Sequence, residues 1–310
     1  MDERIPLLID TDPGVDDALA LLMAFADTRH RLLGLTITAG NVGLAHTVAN
    51  ALKLCEVAGV DVPVFPGCPV PLVHPAEDAA YVHGQDGFGD TGYSPATRHA
   101  QDEHAALAIL RLAREHEGRL LLVTLGPLTN LALALRLDPD LPARIGRLVV
   151  MGGAVTGQGN TSIPAEFNIA FDPEAADVVF RAFPRAEVVD WEAVLRHGLR
   201  HADFEAWAAA GDGRARFYEA ISRFTRKWSL ERRGERWHSA DALAMAAALR
   251  PDGIVQAEDR HLAVELEGRL SRGATLVDWL QRTGKPANAR IVLAYDQASF
   301  EAQVRAALGA

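Results

Sequence analysis

Short, unbroken apolar runs alternate along this chain with stretches of helical periodicity. Ile5 to Ile9 reads as a buried strand, and Ala18 to Ala26 continues as a helix. Leu33 to Thr38 is the next strand, followed by a helix from about Leu44 to Val57. Leu120 to Thr124 and Leu148 to Met151 are further buried runs with Gly or Pro nearby. Strands that are apolar at successive positions belong in a sheet covered on both faces, and intervening helices imply parallel pairing. Toward the C-terminus the pattern changes. His261 to Glu265 and Ala274 to Asp278 flank Gly268 and Gly273 and read as an antiparallel hairpin. Ile291 to Tyr295 supplies a last strand and Gln297 to Leu308 a closing helix. The pattern predicts an α/β fold, a single domain over residues 1–310. Its central sheet is mostly parallel and flanked by helices, with a small antiparallel hairpin near the C-terminus.

No internal repeat or low-complexity linker interrupts the series. The one long irregular segment, Gly67 to Arg98, is rich in Pro, Gly and His. Loops of that length inside a compact domain are usually functional or disordered. Following a strand, this one would fold over the carboxyl edge of the sheet, where open parallel sheets bind ligands. Charge narrows the partners: 41 acidic against 31 basic residues give a net charge of −10, which argues against binding a phosphate backbone and so against nucleic acid. No apolar run approaches the roughly 18 residues that span a bilayer. The opening MDERIPLLIDTDPG has acids where a leader would have basic residues, so a cytoplasmic location is expected. Cys55 and Cys68 are too few for a disulfide framework and read as buried small hydrophobes. Leu22 and Met23 read as the core face of the first helix.

The chemistry concentrates in Asp10-Thr11-Asp12-Pro13-Gly14-Val15-Asp16-Asp17, four carboxylates within eight residues between a buried strand and a helix. Capping and the helix dipole account for one or two acids there. Four call for a counter-charge, and Ca²⁺ and Mg²⁺ favour clustered oxygen ligands. Pro13-Gly14 supplies a turn that aims both ends of the segment at one point. An Asp-x-Asp after a strand also opens Mg²⁺-dependent phosphatases of the haloacid dehalogenase type. That alternative leaves Asp17 and Ala165-Glu166-Phe167-Asn168 without a role.

DTDPGVDDALALLMA resembles the N-terminal signature of the inosine-uridine preferring nucleoside hydrolases, and the likeness continues in order along most of the chain. Ala39-Gly40-Asn41, Gly126-Pro127-Leu128-Thr129-Asn130, Met151-Gly152-Gly153-Ala154, Asn160, Ala165-Glu166-Phe167-Asn168, Asp172-Pro173-Glu174-Ala175-Ala176 and Asp241-Ala242-Leu243-Ala244 carry it. The resemblance implies hydrolysis of the N-glycosidic bond of a ribonucleoside to free base and ribose. It implies Ca²⁺ held by Asp12, Asp17, Asp241 and the backbone carbonyl of Leu125, with Asp12 the general base toward water. Asp16, Asn41, Asn160, Glu166 and Asn168 would hold ribose hydroxyls, with Met151 and Phe167 also against substrate. His83, in His83-Gly84-Gln85-Asp86-Gly87, would sit on a loop closing over the nucleoside. Members of the family are usually homodimers or homotetramers. Read alone, Asp241 is a helix N-cap, and Asn160 and Asn168 are loop residues.

One position departs from the pattern. Many family members carry a His directly before the last metal-binding Asp, as proton donor to the leaving base. Here Trp237-His238-Ser239-Ala240-Asp241 has Ala240 in that place. His238 is a candidate substitute. Stacking on an aromatic ring is the other route, with Trp237, Trp228, Phe224 and Phe167 available, although Trp228 and Phe224 are spaced as helix core. Ala240 also motivates a second reading, a catalytically silent protein that binds nucleoside or ribose. Arg223, Arg226 and Lys227 read as the solvated face of a helix.

Overall fold

The computed structural model describes residues 3–310. In chain order its strands are β1 (Ile5–Thr11), β2 (His30–Ile37), β3 (Val64–Pro66), β4 (Leu120–Thr124), β5 (Ile145–Met151) and β6 (Ala186–Val189). There follow β7 (Leu199–Arg200), β8 (Arg236–Trp237), β9 (Ile254–Arg260), β10 (Leu262–Val264), β11 (Thr275–Val277) and β12 (Ala289–Tyr295). Among the described residues, eight strands form one sheet in the order β3-β2-β1-β4-β5-β6-β12-β9, parallel except for β9, which runs antiparallel on β12. The expected hairpin is β10 with β11, Leu262 facing Val277. A further two-residue pair, β7 with β8, is also antiparallel.

Continuous apolar strands are explained by cover on both faces. Leu7 and Ile9 of β1, with Leu121 and Val123 of β4, enter one core; Leu8, Leu120 and Leu122 enter the other. The first core is closed by helices Val15–Ala26, Ala240–Leu249 and Gln297–Leu308, the second by Ala105–Glu115, Thr129–Leu137 and Pro173–Ala182. Helix Val15–Ala26 packs against both Ala240–Leu249 and Gln297–Leu308, so Leu22 and Met23 are buried as expected. All ten residues of Ala240–Leu249 are buried, and its alanines permit that close approach. Cys55 and Cys68 are buried free thiols. Among the described residues no helix is long and apolar enough to cross a membrane.

Topology places the site. The chain winds outward from β1 through β2 to β3, returns to β4 beside β1, and then winds outward the other way. The carboxyl ends of β1 and β4 therefore border a crevice at the point where the strand order reverses. The irregular segment after β3 folds back over this edge. It is tied down through its short helix Ala80–His83: Thr225 Oγ1 donates to the Val82 carbonyl at 2.7 Å, and the Val15 amide donates to His83 Nδ1 at 3.1 Å.

Two features differ from the sequence reading. β9 is an edge strand whose Gln256, Glu258 and Asp259 blur the apolar signal. Arg226 does not lie on a solvated face: it is buried, its guanidinium 5.0 Å from the Phe204 ring centroid and donating to Ser222 Oγ at 3.1 Å. Helix Gly213–Arg233 turns a polar face inward, with Ser222, Thr225 and Ser229 buried and Phe224 left 43% exposed.

Helix Val15–Ala26 ends at Asp27, whose carboxylate accepts from the amides of Arg29 and His30, each at 3.0 Å, from His30 Nδ1 at 2.7 Å and from Arg250 Nη1 at 2.5 Å. Burial opposes ionisation, but the His30 and Arg250 bonds more than offset it and hold this carboxyl well below the usual range. A depressed folded pKa gives stability that is complete above the unfolded value and is lost as pH falls toward the folded one. Asp27→Asn is expected to destabilise by about 2 kcal/mol near neutrality, with the gap narrowing below about pH 4. Urea denaturation of both proteins across that range measures it, and a gap independent of pH would contradict it.

Candidate active site

β1 runs out at Thr11, and Asp12-Pro13-Gly14 turns directly into helix Val15–Ala26. The turn is locked by Asp17 in the first turn of the helix. Its Oδ2 accepts from the Gly14 amide at 3.0 Å, and its Oδ1 accepts from Thr11 Oγ1 at 2.5 Å and from the Asp12 amide at 3.3 Å. Asn41, just beyond β2, joins the two acids: its amide donates to Asp12 Oδ2 at 2.7 Å and its Nδ2 to Asp17 Oδ2 at 2.9 Å. Asp10 faces another way. It accepts from Thr36 at 2.6 Å and Asn130 at 2.9 Å, and burial pushes it up to about 7. Of the four opening acids, Asp10 therefore ties β1 to its neighbours.

The glycine motifs now have a physical reason. A Cβ on Gly40 would lie 2.1 Å from Asp12 Oδ2, and one on Gly126 would lie 2.3 Å from Asp12 Oδ1. Both positions must lack a side chain for the carboxylate to fit. Asp12 Oδ1 is buried with no hydrogen-bond partner, and so is Asp16 Oδ1.

Asp241, in the first turn of helix Ala240–Leu249, arrives from the far end of the chain. One carboxylate oxygen each from Asp16, Asp17 and Asp241 lie within 4.8 Å of one another. Asp12 stands beside this triad rather than within it. Burial pushes Asp12 and Asp241 well above the usual carboxylate range and Asp17 upward, and the neighbouring acids add to each. Asp16 rises to about 6, chiefly through burial, with backbone hydrogen bonds from its own amide and that of Asp17, and then Arg233, pulling it back. Unpaired buried charges are costly, and this donor set of hard oxygens with orphaned acceptors fits a divalent cation. The Leu125 carbonyl reaches the same crevice from the end of β4, where it accepts from Asn168 Nδ2 at 2.6 Å.

Above the acids lies an open cleft. One wall comes from the segment after β5. Glu166 caps the short helix Phe167–Phe171, accepting from the Asn168 and Gly153 amides at 3.0 Å, and burial pushes it up to about 7. Asn160 Oδ1 accepts from the Phe167 amide at 2.9 Å. Met151 and Phe167 line the same wall. His83 closes another side. Because its Nδ1 accepts from Val15, its proton resides on Nε2, and burial lowers its pKa to about 4. His238 lines the cleft with Nδ1 unpartnered; burial first, then Arg233, hold it down at about 4, so it is neutral near pH 7.

The aromatics divide. Trp237 borders the cleft but is fixed in the core, 5.1 Å from Phe204 and 5.9 Å from Tyr218 between ring centroids. Trp228 lines the cleft beneath Arg232 and Arg233, and Phe224 lies outside it. Tyr81, Trp191 and Arg233 line the cleft without having been anticipated. Trp191 had a usable signal, since it directly follows Asp190 at the carboxyl end of β6. Arg233 had none, because a basic residue before Gly234 reads as an ordinary helix end.

Comparison with known proteins agrees with this geometry. A family model described as inosine-uridine preferring nucleoside hydrolase matches residues 7–302. Non-specific ribonucleoside hydrolases RihC from Salmonella enteritidis and Salmonella typhimurium are 36% identical over 300 residues, covering 97% of this chain and 96% of each relative. Among solved structures, an inosine-guanosine nucleoside hydrolase superposes with a TM-score of 0.91 at 32% identity, over 99% of this chain and 98% of the other. A purine-preferring ribonucleoside hydrolase from Gardnerella vaginalis gives 0.90 at 29%, over 98% of both.

Asp241→Asn removes one charge from a mutually repelling group. It is expected to raise the melting temperature of chelator-treated protein by roughly 2–4 °C and to abolish the rise that added Ca²⁺ gives the unaltered chain. Calorimetry with and without Ca²⁺ tests both parts. A metal-free variant that melts lower than the parent would show that repulsion does not govern this cluster.

Proposed function

The chain belongs to the inosine-uridine preferring nucleoside hydrolase family, and we propose that it hydrolyses ribonucleosides to base and ribose with Asp12 as general base and Ca²⁺ at the acidic cluster. One observation carries this reading: the opening aspartates and the distant Asp241 meet beneath a cleft walled by Asn41, Glu166 and Asn168. Family membership removes the phosphatase alternative.

Asp12, Asp17, Asp241 and the Leu125 carbonyl would hold the cation; Asp16, whose carboxylate converges with those of Asp17 and Asp241, is close enough to share it. When bound, such an ion lowers the pKa of water and fixes vicinal hydroxyls. Asp12 is built to take a proton: Asn41 anchors one oxygen, and the other is unpartnered. Asp16, Asn41, Asn160, Glu166 and Asn168 form the ribose side. Backbone hydrogen bonds hold Asn160 and Glu166 before any sugar enters, and Asn168 is fixed on the Leu125 carbonyl, so little reorganisation accompanies binding. Water adds to C1′ as the bond to the base breaks, and the bonding pair leaves with the base. His83, held neutral by burial, offers an Nε2–H hydrogen bond from the segment folded over the site. His238, uncharged near pH 7, offers a hydrogen bond rather than a ready proton.

Incubation with inosine, adenosine, uridine and cytidine, with free ribose measured, tests the reading. Asp12→Asn is expected to lower kcat by about 10²–10⁴-fold while calorimetry still detects nucleoside binding. Chelation should stop release and Ca²⁺ restore it. Binding of nucleosides without any ribose release would favour a silent binding protein instead.

A further inference from the structure

The cleft has two chemically different ends. The floor and the wall after β5 carry carboxylates and amides suited to a polyol. A cation lines the same cleft, within electrostatic reach of Asp16. Arg233 closes helix Gly213–Arg233, its guanidinium carbon 4.4 Å from the Trp191 ring centroid and 5.2 Å from that of Trp228. The nearby Arg226, by contrast, reaches Ser222, Glu205 and Glu219. Among the described residues Arg233 has no such hydrogen-bonding or ion-pairing partner.

A guanidinium held through its faces keeps its N–H donors in its own plane and available. Its donors are not buried away from water, so a ligand with matching acceptors can take the place of that water. With the ribose on the acidic side, the group left to meet Arg233 is the edge of the base. Two adjacent in-plane acceptors match the guanidinium fork, and N7 with O6 of a 6-oxopurine presents that pair. Adenine keeps N7 but offers an amino donor in place of O6, which opposes the fork. Ala240 adds no polar group to this wall.

We propose that Arg233 determines base specificity, reading the N7/O6 edge of a 6-oxopurine and stabilising the charge that the purine takes up as it leaves. The inference rests on the hydrolase reading. The water oxygen bonds to C1′ and its proton passes to Asp12, while the C1′–N9 pair stays on the purine and spreads to N7 and O6. Arg233 keeps its own proton throughout; the departing anion takes one from solvent.

The test compares the unaltered enzyme, Arg233→Gln and Arg233→Lys, with kcat and KM measured on inosine, guanosine, adenosine, uridine and p-nitrophenyl β-ribofuranoside. The last has a leaving group that departs without assistance. The unaltered enzyme is expected to favour inosine and guanosine over adenosine. Arg233→Gln should lower kcat/KM for the two oxopurines, and their ratio to the nitrophenyl riboside, by roughly 10- to 100-fold, mostly in kcat. Arg233→Lys should recover only part, having charge without the fork. Equal losses on every substrate, or none, would overturn the role of Arg233 while leaving the hydrolase reading intact. Failure of the unaltered enzyme to cleave even the nitrophenyl riboside would overturn both.

Discussion

Like charges gathered out of water set the terms for this molecule. Asp12, Asp16, Asp17 and Asp241 repel one another, and burial amplifies that repulsion. Only a fold that is stable elsewhere can hold them in place. The two cores on either face of the sheet, and the wholly buried helix carrying Asp241, supply that rigidity. Stability is drawn from the scaffold and concentrated as strain at the edge of the sheet, where a bound cation would relieve it.

The doubly wound order explains why such distant residues meet. Reversal at β1 and β4 leaves both carboxyl ends without a covering crossover, and the Leu125 amide bonds the Asp10 carbonyl at 2.8 Å across the gap. Asn41 and Leu125 then enter the crevice from either side of β1. The segment after β3 packs over this crevice through Tyr81, Val82 and His83 and becomes its roof.

Much of this was legible in the sequence because it depends on local rules. Unbroken apolar strands announced the two-sided sheet, and Asp12-Pro13-Gly14 with Asp17 announced the turn. The Gly40 and Gly126 motifs marked positions that the structure shows to be pressed against Asp12. What was not legible depends on the environment of a side chain rather than its type. β9 hides behind polar edge residues. Arg226 and Arg233 sit on one helix as ordinary basic residues, yet one is buried against Phe204 and the other faces the cleft between two indoles. No spacing rule separates them. The division of labour that leaves Asp10 with Thr36 and Asn130 is equally invisible without the third dimension.

Gly40 and Gly126 have one more effect. They flank the Asp12 carboxylate with clearances too small for a methyl group, so this side chain is oriented by exclusion as well as by attraction. Exclusion does not depend on charge. The Asp12 oxygens therefore keep their aim whether the carboxyl is ionised or neutral, and whether the neighbouring acids are compensated or bare.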